Sequence, residues 1–156
     1  MKKVIYLIAL LAPLLLIHCK KDTVSEESRL DLLTGRKWKI DKLLYSVKGD
    51  PTSLDFTNGV YKSCELDDVY EFKKDHTFTR TDGSNVCGSI ALYGPFGNAG
   101  WSADSTLTQL NVELFAVYLY KFKVLNINST ELQLQRSTVD YLQQEALYTF
   151  YFKKIN

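Results

Sequence analysis

Few residues in this 156-residue chain have the chemistry to catalyse a reaction. There are two histidines, His18 and His76. His76 follows Lys74-Asp75 in a turn-like stretch, where an imidazole is far more often a solvated group than a general base. Asp67 and Asp68 are neighbours, so on a strand they point to opposite faces and make a poor acid–base pair. The chain contains no Gly-x-Ser-x-Gly, His-Glu-x-x-His or glycine-rich phosphate loop. Its three cysteines have no second pair and no histidine cluster beside them, which speaks against a metal site. The net charge of +1 gives no electrostatic case for nucleic acid. These residues predict no enzyme, no cofactor, no metal and no nucleic-acid partner.

The cysteines point elsewhere. Lys2 and Lys3 precede an apolar run from Val4 to Ile17, 14 residues long. A membrane-spanning helix needs about 20 apolar residues, whereas a secretory signal core needs about 7–15. Residues 1–18 therefore read as a signal peptide. Leu16-Ile17-His18-Cys19 resembles a bacterial lipobox, and Cys19-Lys20-Lys21-Asp22 is similar to the start of a mature lipoprotein of the Bacteroidetes type. The resemblance implies cleavage before Cys19, lipidation of its sulfur, and a lipid-anchored location in the cell envelope, at the outer membrane. Position 18 departs from the small residue usual before the cysteine. Two or three acyl chains hold a protein on a membrane stably, at about 0.8 kcal/mol per buried CH₂. Residues 19–28 read as a polar tether and 29–156 as the folded domain. With Cys19 lipidated, Cys64 and Cys87 remain, and export to an oxidising compartment predicts a disulfide between them. The alternative is two buried free thiols.

The elements are short and mostly extended. Ten Tyr and eight Phe favour sheet. Ser28–Leu33 suits one short helix ending near Gly35. Lys37–Lys42 and Asp68–Lys73 alternate polar and apolar residues, and Thr77–Thr81 returns after a turn, so the last two form a hairpin. Gly88–Tyr93 and Ala99–Ser102 read as strands around a glycine-rich loop. Leu107, Gln109, Asn111 and Glu113 share one face of the next strand, with Thr108, Leu110, Val112 and Leu114 on the other. Tyr118, Tyr120, Phe122 and Val124 form an apolar face. Leu132 and Leu134, then Tyr148, Phe150 and Phe152, alternate with polar neighbours. Tyr45–Pro51 and the stretch to Gly59 read as a long polar surface loop. About eight strands in hairpin succession predict an all-β, small up-and-down barrel with a short N-terminal helix.

Leu33-Thr34-Gly35-Arg36-Lys37-Trp38, Cys64 with Asp67-Asp68 and Tyr70-Glu71-Phe72, Asp75-His76-Thr77-Phe78, Cys87, and Gly100-Trp101 resemble, in that order, the lipocalin-like lipoprotein domains of Bacteroidetes. The spacing of Gly35 and Trp38 departs from the Gly-x-Trp of lipocalins proper. The resemblance spans roughly Leu30 to Ile155. It implies a small β-barrel and export, and no established activity.

An eight-stranded barrel either fills its interior with side chains or holds one small ligand. Interior candidates are Trp38, Tyr70, Phe72, Trp101, Tyr118, Tyr120, Phe122, Phe150 and Phe152, with Phe96 as an apolar lid in the glycine-rich loop. The expected function is binding of a small apolar ligand, with Trp38, Tyr70, Phe72, Phe96, Trp101, Tyr118, Tyr120 and Phe150 lining the site. The alternative is a structural or interaction subunit that meets an envelope protein partner and whose barrel is filled. Asn128-Ser129-Thr130 matches an N-glycosylation pattern. Asp22-Thr23-Val24 and Asp104-Ser105-Thr106 resemble the O-glycosylation pattern of Bacteroidetes.

Overall fold

The computed structural model describes residues 26–87, 99–114, 118–140 and 142–155. The signal segment, Cys19, the expected strand Gly88–Tyr93 and Phe96 lie outside the described residues. Helix α1 (Glu26–Thr34) leads into β1 (Lys37–Val47). Then come β2 (Leu54–Asp55), α2 (Thr57–Val60), a 3-10 turn (Ser63–Glu65), β3 (Val69–Phe72) and β4 (Thr77–Thr81). The chain continues through β5 (Ala99–Ala103), β6 (Gln109–Leu114), β7 (Tyr118–Ile127), β8 (Glu131–Val139) and β9 (Glu145–Lys154). Among the described residues no helix is long and apolar enough to cross a membrane.

Every strand pairing is antiparallel, in the order β1-β3-β4-β5-β6-β7-β8-β9. β9 also pairs with β1 from Trp38↔Lys154 to Val47↔Ala146, which closes an eight-stranded up-and-down barrel. β2 is an addition to the edge of β1, at Leu44↔Asp55 and Tyr45↔Leu54. Register shifts at Ile40/Lys42 and Val124/Asn126 mark bulges, which bend long strands and help a small barrel close.

The two ends differ. At one end α1 lies across the barrel. Leu33 is 1% exposed, the Trp38 indole Nε1 donates to the Leu33 carbonyl at 3.3 Å, and Lys74 pairs with Asp31 at 2.9 Å. Gly35 ends the helix where a Cβ would stand 2.7 Å from the Asp31 carbonyl oxygen. The helix begins at Glu26, two residues before the expected Ser28, and so shortens the tether.

The expected polar loop from Tyr45 to Gly59 is more ordered than its composition suggested. β1 runs on to Val47, and the rest forms β2 and α2. The cause is β1's edge. β3 pairs with it only at Lys37 and Trp38, so the backbone beyond needs other partners. Leu43 N–H donates to Thr57 Oγ1 at 2.8 Å, and Phe56 N–H donates to the Leu43 carbonyl at 2.8 Å. Residues 54–68 thus form a strap over that side.

The glycosylation-like stretches that are described serve as turn caps. Asn128 Oδ1 accepts from the Thr130 and Glu131 N–H groups, and Asp104 Oδ1 accepts from the Thr108 and Gln109 N–H groups.

Candidate site in the open half of the barrel

The helix-covered half of the interior is filled. Trp38, Ile40, Phe72, Phe78, Trp101, Leu110, Leu132, Leu134 and Phe152 belong to one buried cluster. Phe72 meets Phe78 at 4.8 Å and Trp101 edge-on at 6.0 Å, and Tyr70 meets Phe152 at 5.3 Å. Four of the expected ligand-lining residues, Trp38, Tyr70, Phe72 and Trp101, are therefore floor and wall packing. They are 7% exposed or less, and of the four only Trp101 borders a cleft, beside α1. Burial also pushes the Tyr70 hydroxyl's pKa well up, and that of Tyr61 beside it up to about 12.

Towards the other end the packing thins. Along the inward face of β7, Val124 is 6% exposed, Phe122 and Tyr120 are half-buried, and Tyr118 at the rim is 61% exposed. Tyr118 is thus a rim residue rather than interior packing. On β8, β9 and β1, the strands that follow β7 around the barrel, Arg136, Phe150, Tyr148 and Tyr45 are half-buried as well. Phe122 and Phe150 meet edge-on at 5.7 Å, and Tyr45 meets Tyr148 at 5.4 Å. Arg136 lies over the Tyr120 ring, 4.5 Å from its centroid. The Tyr45 hydroxyl donates to Asp140 Oδ2 at 3.0 Å. Of the expected set, the open half brings together Tyr120 and Phe150. It adds Phe122, Tyr148, Tyr45 and Arg136.

A second polar group faces inward from β4. Arg80, 6% exposed, donates from Nε to Asp68 Oδ2 at 2.7 Å and from Nη2 to Glu65 Oε1 at 3.0 Å. Burial opposes the Glu65 charge, but the Lys62 N–H and Arg80 more than offset it and hold that carboxyl below its usual pKa. For Asp68 burial prevails over Arg80 and the pKa rises. Asp68 is thus a buried ion-pair partner. Asp67 differs: its Oδ2 accepts from the Asn85 N–H at 3.0 Å. Beside this cluster Cys64 and Cys87 form the expected disulfide, with Cα atoms 5.4 Å apart. The cluster holds the strap to the barrel and offers no open carboxylate.

His76 sits in the exposed β3–β4 turn with φ 65°, its ring centroid 5.0 Å from that of Trp101. It lines a cleft of about 340 Å³ beside α1, with Leu30, Trp101, Ala103, Asp104, Ser105 and Leu107. Asp104 is engaged by Thr106, Thr108 and Gln109 and is held at a pKa of about 2, chiefly by the Gln109 N–H. No nucleophile–base pair forms around His76 among the described residues. Leu107 is buried with φ 50°, before β6 begins, so it does not share the face of Gln109, Asn111 and Glu113.

No family model matches the chain, and no curated protein does. Among solved structures it is similar to bovine odorant binding protein in complex with a selenium-containing odorant. The identity there is 15%, the TM-score 0.43, and the match covers 81% of this chain and 73% of that one. The same protein in complex with undecanal matches at 15% identity and TM-score 0.43, over 81% and 74% of the two chains. The closure of eight strands rests on this chain's own register.

Proposed function

We propose that this protein binds a small, largely apolar molecule in the open half of its barrel and performs no chemistry on it. The observation that carries this reading is the gradient along one strand face, from Val124 at 6% to Tyr118 at 61% exposure. A barrel plugged by its own side chains buries the inward residues of its strands short of the rim. Here the aromatic faces of Tyr120, Phe122 and Phe150 remain partly accessible above a closed floor, which suits a ligand of modest length.

The protein is exported and held at the cell envelope, at the outer membrane, by acyl chains on Cys19. Only six residues separate Cys19 from the start of α1 at Glu26, a reach of about 20 Å at roughly 3.3 Å per residue. Because α1 covers the closed end, this leash keeps the closed end near the membrane and turns the mouth away from it.

Native mass spectrometry of the purified protein, with extraction of bound small molecules, tests the binding. Titration with the uncharged fluorophore N-phenyl-1-naphthylamine accompanies it. A co-purifying apolar molecule or a saturable rise in emission is expected. Neither signal, from folded protein, ends the reading. Intact mass tests the anchor: a mature chain starting at Cys19 with added acyl mass is expected, and a chain without acyl mass refutes it.

A second reading has its own observation. Phe56, Val60, Leu119, Val139 and Leu142 are large apolar residues exposed around the mouth, which favours contact with an envelope partner. Crosslinking on intact cells separates the two readings, because a recurrent protein adduct at these positions favours the second.

A further inference from the structure

We infer that the ligand carries an anionic oxygen head group, a carboxylate on an apolar chain, and that Arg136 receives it. This rests on the barrel-binding reading above and narrows it to a class of molecule. Arg136 lies on β8 two residues beyond Leu134, opposite Tyr148 in the register. Leu132 and Leu134 on the same face are 0% and 2% exposed in the core, so the Arg136 side chain projects into the barrel directly above the packed floor. It is half-buried, and its guanidinium lies 4.5 Å from the centroid of the Tyr120 ring.

Among the described residues Arg136 has no ion pair. The carboxylates of the adjoining β8–β9 turn are engaged elsewhere. Asp140 accepts from the Tyr45 hydroxyl and from the Leu142 and Gln144 N–H groups, and Glu145 is bound by Lys48 and Ser137. The stretches 88–98 and 115–117, and Tyr141, contain no Asp or Glu; Asp22, Glu26 and Glu27, whose side chains are likewise not described, fall before α1 or in its first turn. The other inward arginine, Arg80, is matched by two carboxylates.

A guanidinium drawn into an aromatic-lined barrel without a counter-ion bears a desolvation cost that a ring face offsets only in part. Its planar fork of donors suits a carboxylate, which it can meet with two parallel hydrogen bonds. The half-buried rings of Phe122, level with Arg136 on the neighbouring strand, and of Phe150, one layer deeper opposite Leu134, supply a surface for the adjoining part of an alkyl chain. The closed floor below stops a long chain, so the remainder runs along Tyr120 towards the apolar rim.

The test is calorimetric titration of the delipidated, full mature protein with decanoate and with decanol, which share a chain length and differ in charge. The wild type is expected to prefer decanoate by about tenfold or more, the scale of one charge-assisted hydrogen bond. Arg136→Met is expected to lose that preference while still binding decanol, and Arg136→Lys to keep part of it. Equal affinity for the two molecules in the wild type, or an undiminished preference in Arg136→Met, overturns the inference and leaves apolar binding standing. Binding of neither molecule by folded protein removes both. If Arg136→Met does not fold by circular dichroism, the wild-type pair and Arg136→Lys decide the matter.

Discussion

Two arginines face the interior of this barrel, and their surroundings are opposite. Arg80, on the β3–β4 wall, lies under the strap of residues 54–68 and is held by Glu65 and Asp68. Arg136, on the β8 wall, has no strap over it among the described residues and rests on the ring of Tyr120. The first wall is braced by a disulfide and by the Asp67–Asn85 bond. The second ends in half-exposed aromatics. Where the arginine is matched by two carboxylates, the wall is structural. Where, among the described residues, it has no ion pair beside accessible apolar surface, the wall is the one to which we assign the proposed ligand.

The sharpest way to break this contrast is Arg80→Met. It leaves two buried carboxylates unpaired, and the expected loss is about 3–5 kcal/mol of stability, read by urea denaturation. A loss no larger than that of Arg136→Met would erase the distinction. Removing the disulfide by Cys64→Ser with Cys87→Ser comes next. The two cysteines are 23 positions apart, so chain entropy predicts a loss of about 3 kcal/mol. An unchanged denaturation midpoint would show that the strap holds without it. Arg136→Met is expected to change stability by no more than about 1 kcal/mol, because it removes no ion pair and leaves none broken.

The smallest effect lies outside both walls, at Asp104. Its carboxyl is exposed and held at about 2, below the ordinary 3.8, by turn hydrogen bonds led by the Gln109 N–H. A carboxylate with a lowered folded pKa contributes stability above its unfolded value and loses it as pH falls through the folded one. The stability gap between wild type and Asp104→Asn is therefore expected to be full at pH 5 and to close as pH falls from about 4 to about 2. A gap independent of pH would contradict that role.

Much of the fold was legible in the residues. The alternation of Leu110 with Val112, of Leu132 with Leu134, and of Phe150 with Phe152 placed these side chains inward, because a strand repeats every two residues. The disulfide followed from an odd cysteine count once Cys19 was set aside. The site was read less well. Trp38, Tyr70, Phe72 and Trp101 have the residue types of a ligand wall, yet α1 and the hairpin turns seal the end where they lie. The signal for Arg136 was present. Continuing the Leu132–Leu134 alternation by two residues puts an arginine on the apolar face. A charge at that position is easily taken for the end of the pattern rather than a member of it.

The sequence by itself determined most of the described strands and their inward faces, since these depend on period and side-chain type, and the cysteine count pointed to the Cys64–Cys87 pair that forms. Only the tertiary structure decided which end of the barrel is closed, which aromatics are packing and which are accessible, and that among the described residues Arg80 has ion pairs and Arg136 has none. Those outcomes depend on contacts between segments far apart in the chain, such as Lys74 on Asp31 or Tyr45 on Asp140. No local pattern encodes how much of an inward face its distant neighbours will cover.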